Sequence, residues 1–281
     1  MSAPDTTTGP EEESAARKRN PFSGVRSSLR RLGATMAMLS DSLAATAVSI
    51  AKGRFVWWDV LTQGRFLISV SLLPTILIAI PFGLVLVLEV GGLTSQLGAV
   101  SLVGGVTSVG IVREAAPIIS GIVLAGAGGS AICADMGSRN TRGEISALDV
   151  MAVDPLERLV GPRIIAMTLV ALLLNGIVAF VGIITGYLTG VYVLHGVAGG
   201  FLNSFSAFSQ PLDLVESYLK AAVFGVIAAV VASFQGLNCE KGPTGVGDAV
   251  NRSVVVSGVS LFIVNLVITQ IFLVTAPPVL L

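Results

Sequence analysis

Few residues of this chain are equipped for chemistry, and most of them sit in one polar stretch. It runs from Ala134 to Pro155 between two long apolar segments and carries Asp135, Arg139, Arg142, Glu144, Asp149 and Asp154. No nucleophile and base are paired among them, so the chemistry on offer is recognition through ion pairs and hydrogen bonds, not bond making. Thr141 and Glu144 have capping-box spacing, in which Thr141 accepts from the Glu144 N–H and Glu144 reaches back. Ile145, Leu148, Met151 and Ala152 then fall on one face at helical spacing, and Asp154-Pro155 ends the pattern. The spacing predicts a short amphipathic helix over 141–152 with an apolar stripe to bury. Two fates are open to that stripe: it lies in the lipid interface or on the chain's own bundle, or it fills a groove on a soluble partner.

Elsewhere catalytic constellations are missing. The single histidine, His195, has no cysteine or carboxylate cluster at metal-ligand spacing around it, so no metal site is expected. Neither a Gly-x-x-x-x-Gly-Lys-Ser/Thr phosphate loop nor a Gly-x-Ser-x-Gly elbow is present. The run Gly126-Ala127-Gly128-Gly129 lies inside an apolar segment with no strand before it, so it is no nucleotide fingerprint. This chain is therefore not expected to be an enzyme, to bind a cofactor or to bind nucleic acid. Charges at membrane depth mark ion or proton pathways. Glu89, Arg113 and Glu114 are the cavity or gate candidates here, and Lys220 opens a later span. No ladder of Asp, Glu or His suggests proton coupling, so the expected cargo is apolar or amphipathic.

The elements that must position these residues are membrane helices. Hydrophobic residues make up 53% of the chain and charged ones 12%, against about 25% charged in a soluble domain, and the mean hydropathy is +0.86. The fold class expected is an all-α integral membrane protein. Crossing about 30 Å of hydrocarbon takes about 20 apolar residues, and such runs occur near Phe66–Val90, Ala115–Ala134, Ile164–Leu194, Tyr218–Phe234 and Val254–Ala276. Leu97–Val112 is apolar too, and reads either as a re-entrant elbow or as an extension of the second span. Of the 17 Lys and Arg residues, all but Arg113 and Lys220 fall on one side of this five-span layout, which puts the N-terminus and the polar stretch on the cytoplasmic side. Residues 1–24 read as a disordered tail, and residues 25–65 as an interfacial amphipathic helical region ending near Trp57-Trp58. Cys133 and Cys239 both fall at cytoplasmic span ends, where no disulfide is expected. Gly121, Ala125 and Gly129 in the second span, and Gly182, Gly186 and Gly190 in the third, form small-xxx-small steps that let helix backbones approach. They serve packing within the chain or an interface with another subunit.

Three sequence elements resemble the MlaE/YrbE family of ABC-transporter permeases. The polar stretch matches its signature through Asp135, Gly137-Ser138, Arg139 and Glu144-Ile145-Ser146-Ala147-Leu148-Asp149-Val150-Met151-Ala152-Val153-Asp154-Pro155. Arg113-Glu114-Ala115-Ala116-Pro117 is similar to the family's Arg-Glu-x-x-Pro element, and Lys241-Gly242-Pro243-Thr244-Gly245-Val246-Gly247-Asp248-Ala249 to its Gly-x-x-Gly-Val-Gly-x-Ala loop. Ser146 replaces the usual Asp, Ala152 the usual Gly, and Val250-Asn251 a common Thr-Thr. The long polar N-terminus resembles the branch associated with Mce proteins.

The resemblance implies a permease domain over 66–281 in a bacterial inner membrane, passing lipid between the membrane and an external MCE-domain carrier. It implies a separate cytoplasmic ATPase, with ATP and Mg bound there, and a second permease subunit, a paralogue before a second copy. Residues 141–152 would be the coupling helix, with Ile145, Leu148 and Met151 filling the ATPase groove and Glu144 and Asp149 at its polar rim. Asp135, Arg139 and Asp154 would belong to the same interface. A secondary transporter and a non-transporting scaffold for carrier proteins are the competing readings.

Overall fold

A computed structural model describes residues 57–99, 102–152 and 154–275, with a few positions between 33 and 44. The tail expected over 1–24 and most of the interfacial region expected over 25–65 lie outside the described residues. From Trp57 onward seven helices follow in chain order: α1 (Trp57–Gln96), α2 (Val103–Thr141), α3 (Glu144–Val150), α4 (Leu156–Val193), α5 (Ala198–Phe208), α6 (Pro211–Leu237) and α7 (Pro243–Thr275). No strand occurs among the described residues. Five of these helices, α1, α2, α4, α6 and α7, are long and apolar enough to cross a membrane. The chain is an all-α, multi-pass membrane protein, as its hydropathy requires.

The structure sharpens the sequence expectation in three places. α1 starts at Trp57, so the end of the expected interfacial region, with Asp59 and Arg65, continues into the first span as one rod. The apolar stretch after Leu97 is no separate elbow from Val103 onward, because it runs straight into the second span. Two π-helical segments, Ser108–Ala115 and Leu124–Gly128, take up the irregular turns of that helix. The charge-free segment between the third and fourth spans contains α5, which packs on the start of α2.

Small residues set the helix spacing. A Cβ on Gly182 would come within 2.7 Å of the Ile111 side chain, and one on Gly186 within 2.8 Å of Thr107, so α4 lies against α2 only because both are glycine. Gly121 faces Phe224 of α6, Gly190 faces Phe201 of α5, and Ala125 and Gly129 are buried in α2. The main apolar core joins Leu67 and Val60 of α1, Leu124 and Met136 of α2, Met167 and Leu174 of α4 and Phe224 of α6. α7 is the outlying member, buried along Ala249, Ser253, Ser257 and Leu261 only.

Candidate functional site

Ionisable side chains gather at two depths. At one end of the bundle the start of α1, the end of α2, α3 and the start of α4 meet, and here lies the polar stretch. The expected capping box is absent. Thr141 belongs to the last turn of α2, where its hydroxyl donates to the Gly137 carbonyl at 2.9 Å. Gly143 takes the cap position instead, with φ +77° and its carbonyl accepting from the Ala147 N–H at 3.1 Å. The helix is consequently Glu144–Val150, shorter than the 141–152 expected.

Freed from capping, Glu144 is held by two guanidinium groups. Arg142 Nε donates to it at 2.8 Å and Arg139 at 3.3 Å. Arg139 also donates through Nε to both oxygens of Asp135 at 3.2 Å. Asp135 accepts in turn from Arg163 of α4, a residue 4% exposed whose other branch donates to the Leu159 carbonyl at 2.6 Å. Asp154 lies just before Pro155, the N-cap of α4: its side chain accepts from the Leu156 N–H at 2.9 Å and its carbonyl from the Arg158 N–H at 3.1 Å. That bond is a role inside the chain, with one carboxylate oxygen already committed. Asp149 lies on α3, and its side chain is outside the described set.

The apolar stripe of α3 is only partly covered. Ile145 and Leu148 are half-buried, whereas Met151 and Val150 stand 63% and 88% exposed. Leu148 and Met151 line an open cleft whose far wall is Trp58, Asp59 and Gln63 of α1 and Arg158 of α4. Ala152, directly after, has φ +54°, a left-handed backbone that favours glycine. The helix thus hangs between two left-handed residues, Gly143 and Ala152.

Towards the other end, inside the bundle, lies a second group. Arg113 Nε meets Glu216 at 2.9 Å and Arg113 also faces Asp213 at 3.7 Å. Lys220, fully buried, bridges Glu216 at 2.8 Å and Glu114 at 2.9 Å. Asn265 and Thr269 of α7 donate to Glu114 at 3.3 Å. Pro117 explains one further bond. It has no N–H for the carbonyl four residues earlier, and Lys220 Nζ donates to that Arg113 oxygen at 3.3 Å. At the same level of α6, Asn175 and Ser217 exchange hydrogen bonds at 3.0 and 3.3 Å between α4 and α6.

Of the cavity candidates, Arg113 and Glu114 join this network while Glu89 stands exposed on α1. Sequence reasoning misses Asp213, Glu216 and Lys220 as their partners, and it misses Arg163 at the other end. The i,i+4 pair Glu216/Lys220, opposite charges one turn apart at the start of an apolar run, is the signal that could have found the first group. Cys133 and Cys239 are both free thiols, and no cluster fit to hold a metal occurs among the described residues. His195 is exposed in the turn before α5.

Several proteins of known description are similar to this chain over most of its length. A probable ABC transporter permease protein of Synechocystis is 33% identical over 218 residues, spanning 77% of this chain and 82% of its own length. The chloroplastic protein TRIGALACTOSYLDIACYLGLYCEROL 1 of Arabidopsis thaliana is 30% identical over 79% of this chain and 64% of its own length. The intermembrane phospholipid transport system permease protein MlaE of Haemophilus influenzae is 29% identical over 72% of this chain and 77% of its own. The sequence profile described as Permease MlaE matches residues 60–271, nearly the whole described bundle, and the chain belongs to that family.

Proposed function

We propose that this chain is the membrane subunit of an ABC-type lipid transporter, moving lipid between a bacterial inner membrane and an external MCE-domain carrier. ATP and Mg would be bound and ATP hydrolysed in a separate cytoplasmic ATPase, and the permease core would be completed by a second, paralogous permease subunit. The observation that carries this reading is α3: a short helix at the end of the bundle with Val150 and Met151 exposed and Leu148 on an open cleft. The Lys and Arg distribution supports a cytoplasmic N-terminus with α3 on the same side. Ile145, Leu148 and Met151 then dock in the ATPase, with Glu144 and Asp149 at the rim. Closure of the ATPase dimer moves α3 and the helices joined to it, a rigid-body change that reshapes a lipid cavity between permease subunits. Arg113 and Glu114 would mark the polar part of that cavity, since charges at this depth serve a pathway more often than stability.

The test is co-purification of the complex with and without Leu148→Asp/Met151→Asp, followed by ATPase assay and mass spectrometry of bound lipid. Two new carboxylates forced into an apolar groove each cost several kcal/mol, on the order of the penalty for an unpaired buried charge. The wild type is expected to carry an ATPase and lipid, and the variant to lose the ATPase while remaining folded. Retention of an active ATPase by the variant would refute docking through α3.

One observation favours a second reading, a secondary transporter: the set Arg113, Glu114, Glu216 and Lys220, of which Glu216 and Lys220 are fully buried, has the composition of an ion-coupled site. Lipid movement that persists with a catalytically dead ATPase would select it.

A further inference from the structure

α3 is poorly anchored by packing. Seven residues do not make a stable helix alone, its exposed face includes Ser146, Ala147 and Val150, and left-handed residues flank it at Gly143 and Ala152. What ties its first turn to the bundle is charge. Glu144 is held by Arg139 of α2, Arg139 by Asp135 one turn back, and Asp135 by Arg163 of α4. The far end of this chain of contacts is rigid, because Arg163 is 4% exposed and fixed on the Leu159 carbonyl. Among the described residues, Arg163 donates to Asp135 and Leu159 and makes no hydrogen bond or ion pair to α3 itself.

We propose that Arg163 is a positioning residue for transport: the relay Arg163–Asp135–Arg139–Glu144 sets where α3 stands and carries its displacement into α2 and α4 together. The inference rests on the reading of α3 as the ATPase-coupling helix, and adds the route by which its movement enters the membrane. Three features make the relay suited to this. It is continuous from the exposed Glu144 to the buried Arg163, every link includes a guanidinium able to use two donors at once, and it crosses from one span to the next at Asp135. A stroke that pulls Glu144 must move both spans or break an ion pair. An apolar contact would let α3 slide. The relay also assigns Asp135 and Arg139 to the framework behind the docking helix, with Glu144 as their link to it.

The experiment uses the full complex reconstituted in vesicles and measures ATP hydrolysed per lipid delivered, together with hydrogen–deuterium exchange of the 144–150 amides. Arg163→Lys keeps the charge but cannot serve Leu159 and Asp135 with a fork. It is expected to retain the ATPase subunit and its basal hydrolysis, to raise ATP consumed per lipid about threefold to tenfold, and to speed exchange in α3. Combining it with Glu144→Gln is expected to add nothing to the effect of Glu144→Gln alone, because both cut the same relay. Unchanged ATP per lipid and unchanged α3 exchange in Arg163→Lys, or strictly additive effects in the double variant, would overturn the relay. Should Arg163→Lys not assemble, Asp135→Glu takes its place, preserving charge and altering reach by one methylene. The same two measurements then apply: a rise in both supports the relay, and no change in either overturns it. Failure of the transporter reading looks different: the wild-type complex would then deliver no lipid in response to ATP.

Discussion

The two ion networks of this molecule are built from the same residue types and differ in nearly everything else. In the bundle interior, Lys220 and Glu216 of α6 are 0% and 1% exposed and are joined to Arg113 and Glu114 of α2, with Asn265 and Thr269 of α7 donating to Glu114. At the polar end, Glu144, Arg139 and Asp135 retain between a third and two fifths of their side-chain exposure, and only Arg163 is buried. Burial changes the meaning of a pair. A desolvated charge is tolerable only while its partners remain, so losing one partner costs about 3–5 kcal/mol. An exposed pair is screened by water and salt and contributes about 0–1 kcal/mol. The interior network therefore locks α2, α6 and α7 to one another. The other network orients α3 through pairs that stay partly exposed to solvent.

The comparison breaks first, and hardest, at Lys220. Lys220→Met removes the cation shared by Glu216 and Glu114 and leaves Arg113 to offset Glu216, Glu114 and Asp213, and is expected to destabilise the folded protein by about 3–5 kcal/mol, read as a lowered thermal midpoint in detergent. Adding Glu216→Leu should recover a good part of that loss, because the remaining charges are then Arg113, Asp213 and Glu114, of which Glu114 keeps 35% of its side-chain exposure. A Lys220→Met protein as stable as wild type would mean that water reaches the interior network and that the two regions do not differ in kind.

Backbone at the polar end sharpens the contrast on a smaller scale. Ala152 holds φ +54°, and glycine accepts that conformation without steric cost, so Ala152→Gly should raise stability by up to about 1 kcal/mol, less the entropy that glycine loses on folding. The same thermal measurement decides it, and a clear loss would mean that the Ala152 methyl makes contacts worth more than the strain. The smallest effect belongs to Arg142, 61% exposed and paired with Glu144 at 2.8 Å. Arg142→Ala should change stability by less than about 0.5 kcal/mol, and that change should disappear in about 1 M salt, where charges are screened within about 3 Å. A salt-independent loss above about 1 kcal/mol would make this network as dry as the other.

Much of this architecture is legible in the chain read alone. Five spans, the polar stretch and the helical stripe in it follow from hydropathy and periodicity, which are properties of neighbours along the sequence. Glu144 stands out in the sequence, but its structural partners do not. Its spacing from Thr141 permits a capping box, yet Thr141 is held in α2 and two arginines capture the carboxylate. The glycine steps are legible as surfaces for close approach, though not as to which helix approaches. Arg163 and Lys220 are the least legible, since each looks like a charge at a span end until its partners are known.

What the sequence by itself determined is thus everything set within a few residues: which segments enter the membrane, where the Lys and Arg lie, and that a short amphipathic helix interrupts the spans. Only the tertiary structure decided which charges meet. Lys220 reaches the carbonyl of Arg113 and the carboxylate of Glu114 across more than a hundred residues of chain, and Arg163 reaches Asp135 from the next span. Such pairings depend on the rotation and depth of one helix against another. Those follow from the interlocking of small residues such as Gly182 and Gly121 with side chains on other helices, so no single segment contains them.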